Sequence, residues 1–207
     1  MELDQEVAGH GHRIGTRWID LALALAALLV SVSSIMIALQ NHHAMQRLVT
    51  ANSWPYLELT EGNAAEDNTP MVHLGVKNVG IGPAMIEKFV VTYAGEPVTG
   101  PADLLTRCCG PSSSWSDAKI LMNQVTGRVL PAREDITFLG VWDRNSDLFR
   151  KLDVERMKIG MAVCYASVFD EHWVTTLVPM AGWTNAHSVK SCNQLEGPAW
   201  QARRIEK

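Results

Sequence analysis

The sequence has no block of basic residues. Its 18 Lys and Arg stand against 22 Asp and Glu, and both signs are spread along the chain. Neutralising a phosphate backbone needs a clustered positive face, so nucleic acid is disfavoured as the main partner. The same lack argues against a polybasic patch for anionic lipid headgroups. Chemical motifs are equally scarce. Ser112, Ser113 and Ser114 lack the Gly-x-Ser-x-Gly setting that presents a nucleophile. Gly80 and Gly82 are followed by Pro83 rather than by a helix-opening glycine pattern, which spoils a phosphate-cradling turn. The Cys-x-x-Cys and His-x-x-x-His clusters of structural zinc sites are missing. No metal and no cofactor is therefore expected. The one pair in the N-terminal tail, His10 and His12, supplies at most two ligands.

Long apolar runs are absent too, with one exception. Ile19 to Leu39 carries a single charge, Asp20, at its start. At 1.5 Å rise per residue, about twenty helical residues cross a hydrocarbon core of about 30 Å. The run exceeds the 7 to 15 residues of a signal-peptide core and is followed by Gln40, Asn41, His42 and His43 rather than a small-residue cleavage site. The expected partner of residues 19–39 is thus membrane lipid. Arg13 and Arg17 precede the run and Arg47 follows it. By the positive-inside rule this places the N-terminus in the cytoplasm and the following domain across the inner membrane, in the periplasm. The margin is one arginine, and a cytoplasmic domain is the alternative.

Within the run, Ala24, Ala27, Ser31, Ser34 and Ala38 recur at spacings of three and four, which draws a small-residue stripe along one helix face. In lipid such a face lets helix backbones approach, so it is the expected helix–helix contact, with a second copy or a partner membrane helix. Ala and Ser are also common in single anchors, which leaves the stripe without a required partner. The helical register continues toward Asn52, and Pro55 ends it.

From Trp54 the apolar period changes to two. Strands are predicted at Tyr56–Thr60, Met71–Asn78, Ala84–Tyr93, Gly127–Leu130, Ile136–Trp142, Met157–Val168 and Trp173–Val178, the last two joined by a turn near Phe169, Asp170 and Glu171. The glycines of Val79-Gly80-Ile81-Gly82-Pro83 are expected to supply positive φ. Short helices are predicted at Ala102–Arg107 and Ser146–Leu152, with Asn145 or Ser146 as cap. The fold class is mainly β: one N-terminal transmembrane α-helix, then an antiparallel β-sandwich of immunoglobulin-like shape with one or two short helices. The divisions are a tail over 1–17, a transmembrane helix over 18–40, a helical stalk or linker over 41–53, the sandwich over 54–184, and a C-terminal tail over 185–207. That tail is predicted irregular, with a short helix after Pro198. Trp115 and Trp183 lie in polar segments; exposed tryptophans would mark a binding surface, and loops folding back to cover the sheet edges are the favoured reading.

The junction Ser53-Trp54-Pro55-Tyr56-Leu57, the segment Val76 to Ile86 and the stretch Cys164 to Trp173 together resemble a group of uncharacterised bacterial single-anchor membrane proteins. The resemblance covers most of the chain and implies no activity, since the group has no assigned function. Similar members carry cysteines where Ala166 and His172 stand here, a pair that would span the hairpin. This chain lacks it, so no role tied to it carries over.

Cys108, Cys109, Cys164 and Cys192 are an even number in a domain expected outside the cytoplasm, which fits two disulfides with three connectivities open. A bond between the adjacent Cys108 and Cys109 needs an unusual turn, so Cys164 with Cys192, and one of the vicinal pair free, is an equal alternative. In a cytoplasmic domain all four would be reduced. The most chemical constellation is Asp170, Glu171 and His172, which could serve as acid and base or be the polar residues of an ordinary turn. The sequence favours a membrane-anchored binding or accessory module acting by protein–protein interaction. A hydrolase with a site near Asp170 and His172, or a purely structural anchor, are the alternatives.

Overall fold

The computed structural model describes residues 13–65, 67–115, 118–179 and 184–202; most of the N-terminal tail and Trp183 lie outside them. The chain forms two compact units, residues 1–49 and 50–207. The first is built on one helix, α1 (Arg13–Ala51). Within it Arg17–His43 is long and apolar enough to cross a membrane. Its 27 residues span about 40 Å at 1.5 Å each, and its side chains are exposed throughout.

The second unit, the head, is mainly antiparallel β with three more elements than the period-two pattern predicts. Its strands are β1 (Leu57–Ala64), β2 (Pro70–Asn78), β3 (Ala84–Tyr93), β4 (Glu96–Val98), β5 (Lys119–Met122), β6 (Val129–Leu130), β7 (Asp135–Trp142), β8 (Ile159–Ala166), β9 (His172–Leu177) and β10 (Thr184–Val189). One sheet has the order β1-β2-β7-β5; the other runs β10-β9-β8-β3-β4, with β6 also on β3. Alternate residues of both sheets meet in one core: Leu57, Leu59, Val72, Leu74 and Val76 from the first, Phe89, Val91, Met161, Val163 and Tyr165 from the second. Phe89 and Phe138 touch edge to face across it, centroids 4.8 Å apart. Tyr165 Oη accepts from Leu57 N–H at 3.3 Å, a further link between the sheets.

Two helices pack on each other beside the sheets: α2 (Pro101–Cys109), opening with proline, and α3 (Asp147–Glu155). Ser146 is the cap of α3, its hydroxyl accepting from Phe149 N–H. Both helices bury leucines inward, Leu104 and Leu105 from α2 and Leu148 and Leu152 from α3.

Three expectations are corrected. The short strands β4 and β5 carry too few residues for a period to register. Residues 156–158 form a 3-10 turn, so β8 begins only at Ile159. The tail is not irregular throughout: β10 pairs with β9 from Thr184 to Val189, no helix follows Pro198 among the described residues, and Trp200 is fully buried against Phe89 and Phe138. Trp115 is 5% exposed, a core residue, in line with the favoured reading of a loop that folds back.

Gly80 and Gly82 also serve differently from expectation, since neither has positive φ. A Cβ on Gly82 would stand 1.9 Å from the Ser53 carbonyl oxygen, and one on Gly80 2.4 Å from Tyr56 N. The glycines are needed because the backbone of 53–56 lies directly against them. Asn78, fully buried, fixes this arrangement. Its Nδ2 donates to Gly82 O at 2.8 Å and to Leu130 O at 3.0 Å, and its Oδ1 accepts from Gly80 N at 3.0 Å and Tyr56 N at 3.4 Å.

Tyr93 closes β3 at a two-residue hairpin, where Ala94 and Gly95 both have positive φ as such a turn requires. Its hydroxyl donates to Glu155 Oε2 of α3. That bond pushes the Tyr93 pKa up to about 12, and it lowers that of Glu155, helped by Lys158. The stabilisation from the raised tyrosine is therefore complete below its unfolded value near 10 and lost as pH rises through about 12. That from the lowered glutamate is complete above the usual carboxylate range and lost as pH falls through its depressed value. Thermal unfolding of the parent and of Tyr93→Phe should accordingly differ by a constant amount near neutrality, and the two should converge at both extremes.

Candidate functional site

On α1, Ala24, Ala27, Ser31, Ser34 and Ala38 are all exposed. Ser31 Oγ donates to Ala27 O and Ser34 Oγ to Val30 O, each at 2.8 Å. These hydroxyls are thus satisfied inside their own helix, and what the stripe offers a neighbour is its small size.

All four cysteines are bonded, Cys108 to Cys109 and Cys164 to Cys192. The vicinal bond closes the C-terminal turn of α2, where Cys109 is buried and its carbonyl accepts from Lys151 Nζ of α3 at 3.4 Å. The second bond ties the middle of β8 to the 3-10 turn after β10. There Cys164, Val174 and Cys192 form a small buried cluster with Val189 and Leu195 against it.

Beside that second bond stands a cluster of titratable side chains. The ladder between β3 and β8 slips at Glu87, between Ile86 and Lys88. A bulge of this kind re-aims a side chain. Glu87 Oε1 lies 3.2 Å from His172 Nε2, at the first residue of β9. Asp170 Oδ1 is 3.9 Å from the same nitrogen, on a side chain 91% exposed. The His172 side chain itself is only 13% exposed. Lys88, next along β3, has its ammonium held by Leu195 O at 2.6 Å. Ligand atoms of Glu87, His172 and Cys192 all fall within 4.8 Å of one another. Two of these three come from outside the Asp170–His172 turn that the sequence singles out. Glu87 has no local signal, since its position depends on a slip in strand pairing. His73 lies on β2 against Gly62 and His187 on β10 opposite Val174.

A second feature is apolar. Trp54, Val79, Ile81, Val129, Val168 and Phe169 are between 43% and 58% exposed. Strand pairing gathers their segments at one end of the head: Ile81 N–H donates to Trp54 O, Val129 pairs with Met85, and Met85 pairs with Ala166 just before Val168 and Phe169. A shallow groove beside the edge strand β5 is lined by Ile120, Leu121, Trp142 and Arg144, among others.

The class defined by these observations is a mainly β, antiparallel head preceded by one N-terminal helix long and apolar enough to cross a membrane. No family model matches the chain, and no curated protein matches it.

Proposed function

We propose that the protein is a single-pass, membrane-anchored β-sandwich module that acts by protein–protein contact at the membrane, through the apolar end of its head. The supporting observation is that strand pairing brings the segments carrying six exposed apolar side chains together at that end. Scattered single apolar residues are normal on a surface, but a contiguous group marks a contact site. The span Arg17–His43 supplies the anchor. Arg13 and Arg17 favour an N-terminus in the cytoplasm. Two disulfides suit a head in an oxidising compartment, which in a bacterium is the periplasm.

Photo-crosslinking in intact membranes tests this. A photoreactive residue at Ile81 or Phe169 should yield a discrete protein adduct, one at Glu96 in the β3–β4 hairpin should not, and carbonate should leave the protein in the membrane. Crosslinks to lipid alone, equal adducts from Glu96, or release by carbonate would refute the reading. Ala27→Leu, Ser31→Leu and Ser34→Leu together should leave the adduct intact; its loss would favour a purely structural anchor working through the helix stripe.

A further inference from the structure

The Cys164–Cys192 corner brings together four metal-competent side chains from four separate segments. Glu87 comes from β3, Cys164 from β8, His172 from β9 and Cys192 from the turn beyond β10. The two cysteine Cα atoms are 5.5 Å apart and their sulfurs are bonded to each other, so the Cys164 sulfur adjoins that of Cys192. The atoms of Glu87, His172 and Cys192 already lie within 4.8 Å of one another. In a tetrahedral zinc centre, with Zn–S of about 2.3 Å and Zn–N of about 2.0 Å, neighbouring ligand atoms stand about 3.3 to 3.8 Å apart. A sulfur–sulfur bond holds its two atoms too close for both to ligate as thiolates, so the oxidised corner is closed to a thiophilic cation.

We propose that reduction of the Cys164–Cys192 bond converts this corner into a binding site for a thiophilic divalent cation of the Zn2+ class, with the two sulfurs and His172 Nε2 as ligands and Glu87 as the fourth. A dithiol is the reductant. It gives two electrons and two protons to the protein: the Cys164–Cys192 bond breaks, two thiols form, and the dithiol leaves as a cyclic disulfide. Binding of Zn2+ then displaces the two thiol protons, since the thiolate is the ligand. Three features favour the site. Cys164 and Cys192 are buried beside Val174, which shields the metal–sulfur bonds. The imidazole is mostly enclosed and faces the carboxylate at 3.2 Å. The nearby cation, Lys88, is tied to Leu195 O and so points its charge into a hydrogen bond. The corner would thus read the thiol–disulfide state of its surroundings as presence or absence of a metal ion.

The test uses the full-length chain in detergent, carrying Cys108→Ser and Cys109→Ser so that the vicinal pair adds no thiolate, with the unaltered chain as control for that change. After reduction by dithiothreitol and its anaerobic removal, titration with Zn2+ should give one ion per chain. The oxidised protein should bind at least about 100-fold more weakly. Co2+ in place of Zn2+ should produce thiolate-to-cobalt charge-transfer absorption in the reduced form alone. His172→Ala should weaken binding at least about tenfold, and Glu87→Gln should weaken it with the far-UV spectrum unchanged. Equal binding by the oxidised form, affinity indifferent to both His172→Ala and Glu87→Gln, or loss of the folded spectrum on reduction would each overturn the proposal.

Discussion

Asn78→Ala should destabilise the head by about 3 to 5 kcal/mol. Each buried polar group left without a partner costs about 1 to 3 kcal/mol, and this one side chain serves four. Gly82 O and Leu130 O lose their donor, and Gly80 N–H and Tyr56 N–H lose their acceptor. The upper end is not reached, because Tyr56 and Gly80 are only partly buried and water can replace part of what they lose. For a unit of about 150 residues this corresponds to a fall of roughly 10 °C in Tm, readable by thermal or urea unfolding in detergent. Asn78→Asp separates hydrogen bonding from mere volume. It keeps the size and the acceptor but turns two donors into a second oxygen facing two carbonyls, so it should cost at least as much as alanine. An aspartate variant as stable as the parent would show that the donors contribute nothing.

Trp200→Ala is expected to cost a similar amount, about 3 to 5 kcal/mol, the range for deleting a buried large aromatic. The indole has zero exposure and meets Phe138 at 5.2 Å and Phe89 at 6.5 Å, both edge to face. Its backbone is fixed as well: Trp200 N–H donates to Phe89 O at 2.7 Å and Gln201 N–H to Thr99 O at 3.0 Å. Trp200→Phe should cost markedly less. It retains most of the apolar contact, and the Nε1–H it removes is buried without a hydrogen-bond partner among the described residues. Equal losses for the two variants would mean that shape in the core, rather than burial, sets the effect. Since whole domains are stable by about 5 to 15 kcal/mol, either alanine variant should also raise the susceptibility of the head to protease.

The first of these positions bears on what the segment Asn78-Val79-Gly80-Ile81-Gly82-Pro83 is for. Every distinctive residue in it is accounted for by packing. Asn78 holds four backbone groups, Gly80 and Gly82 admit the chain at 53–56, and Pro83 ends the turn where β3 starts. Its chemistry is that of a socket for the incoming chain. The only side chains left over for recognition are the exposed Val79 and Ile81.

The sequence alone determined the apolar helix, the long strands β2, β3, β7, β8 and β9, the capped α3 and the proline-opened α2. Each of these is written in neighbouring residues: an unbroken apolar run, an alternation of period two, a serine before a helical pattern. Only the tertiary structure decided the place of Trp200, Trp115, Glu87 and Cys192. Burial of the tryptophans arises from loops and a tail folding back, which leaves no period to read. The meeting of Glu87, Cys164, His172 and Cys192 depends on a slipped strand pair and on β10 closing the sheet, so residues more than a hundred positions apart become neighbours. Hydrophobic periodicity records which face of an element is buried, and it holds no information about which distant segment lies against that face.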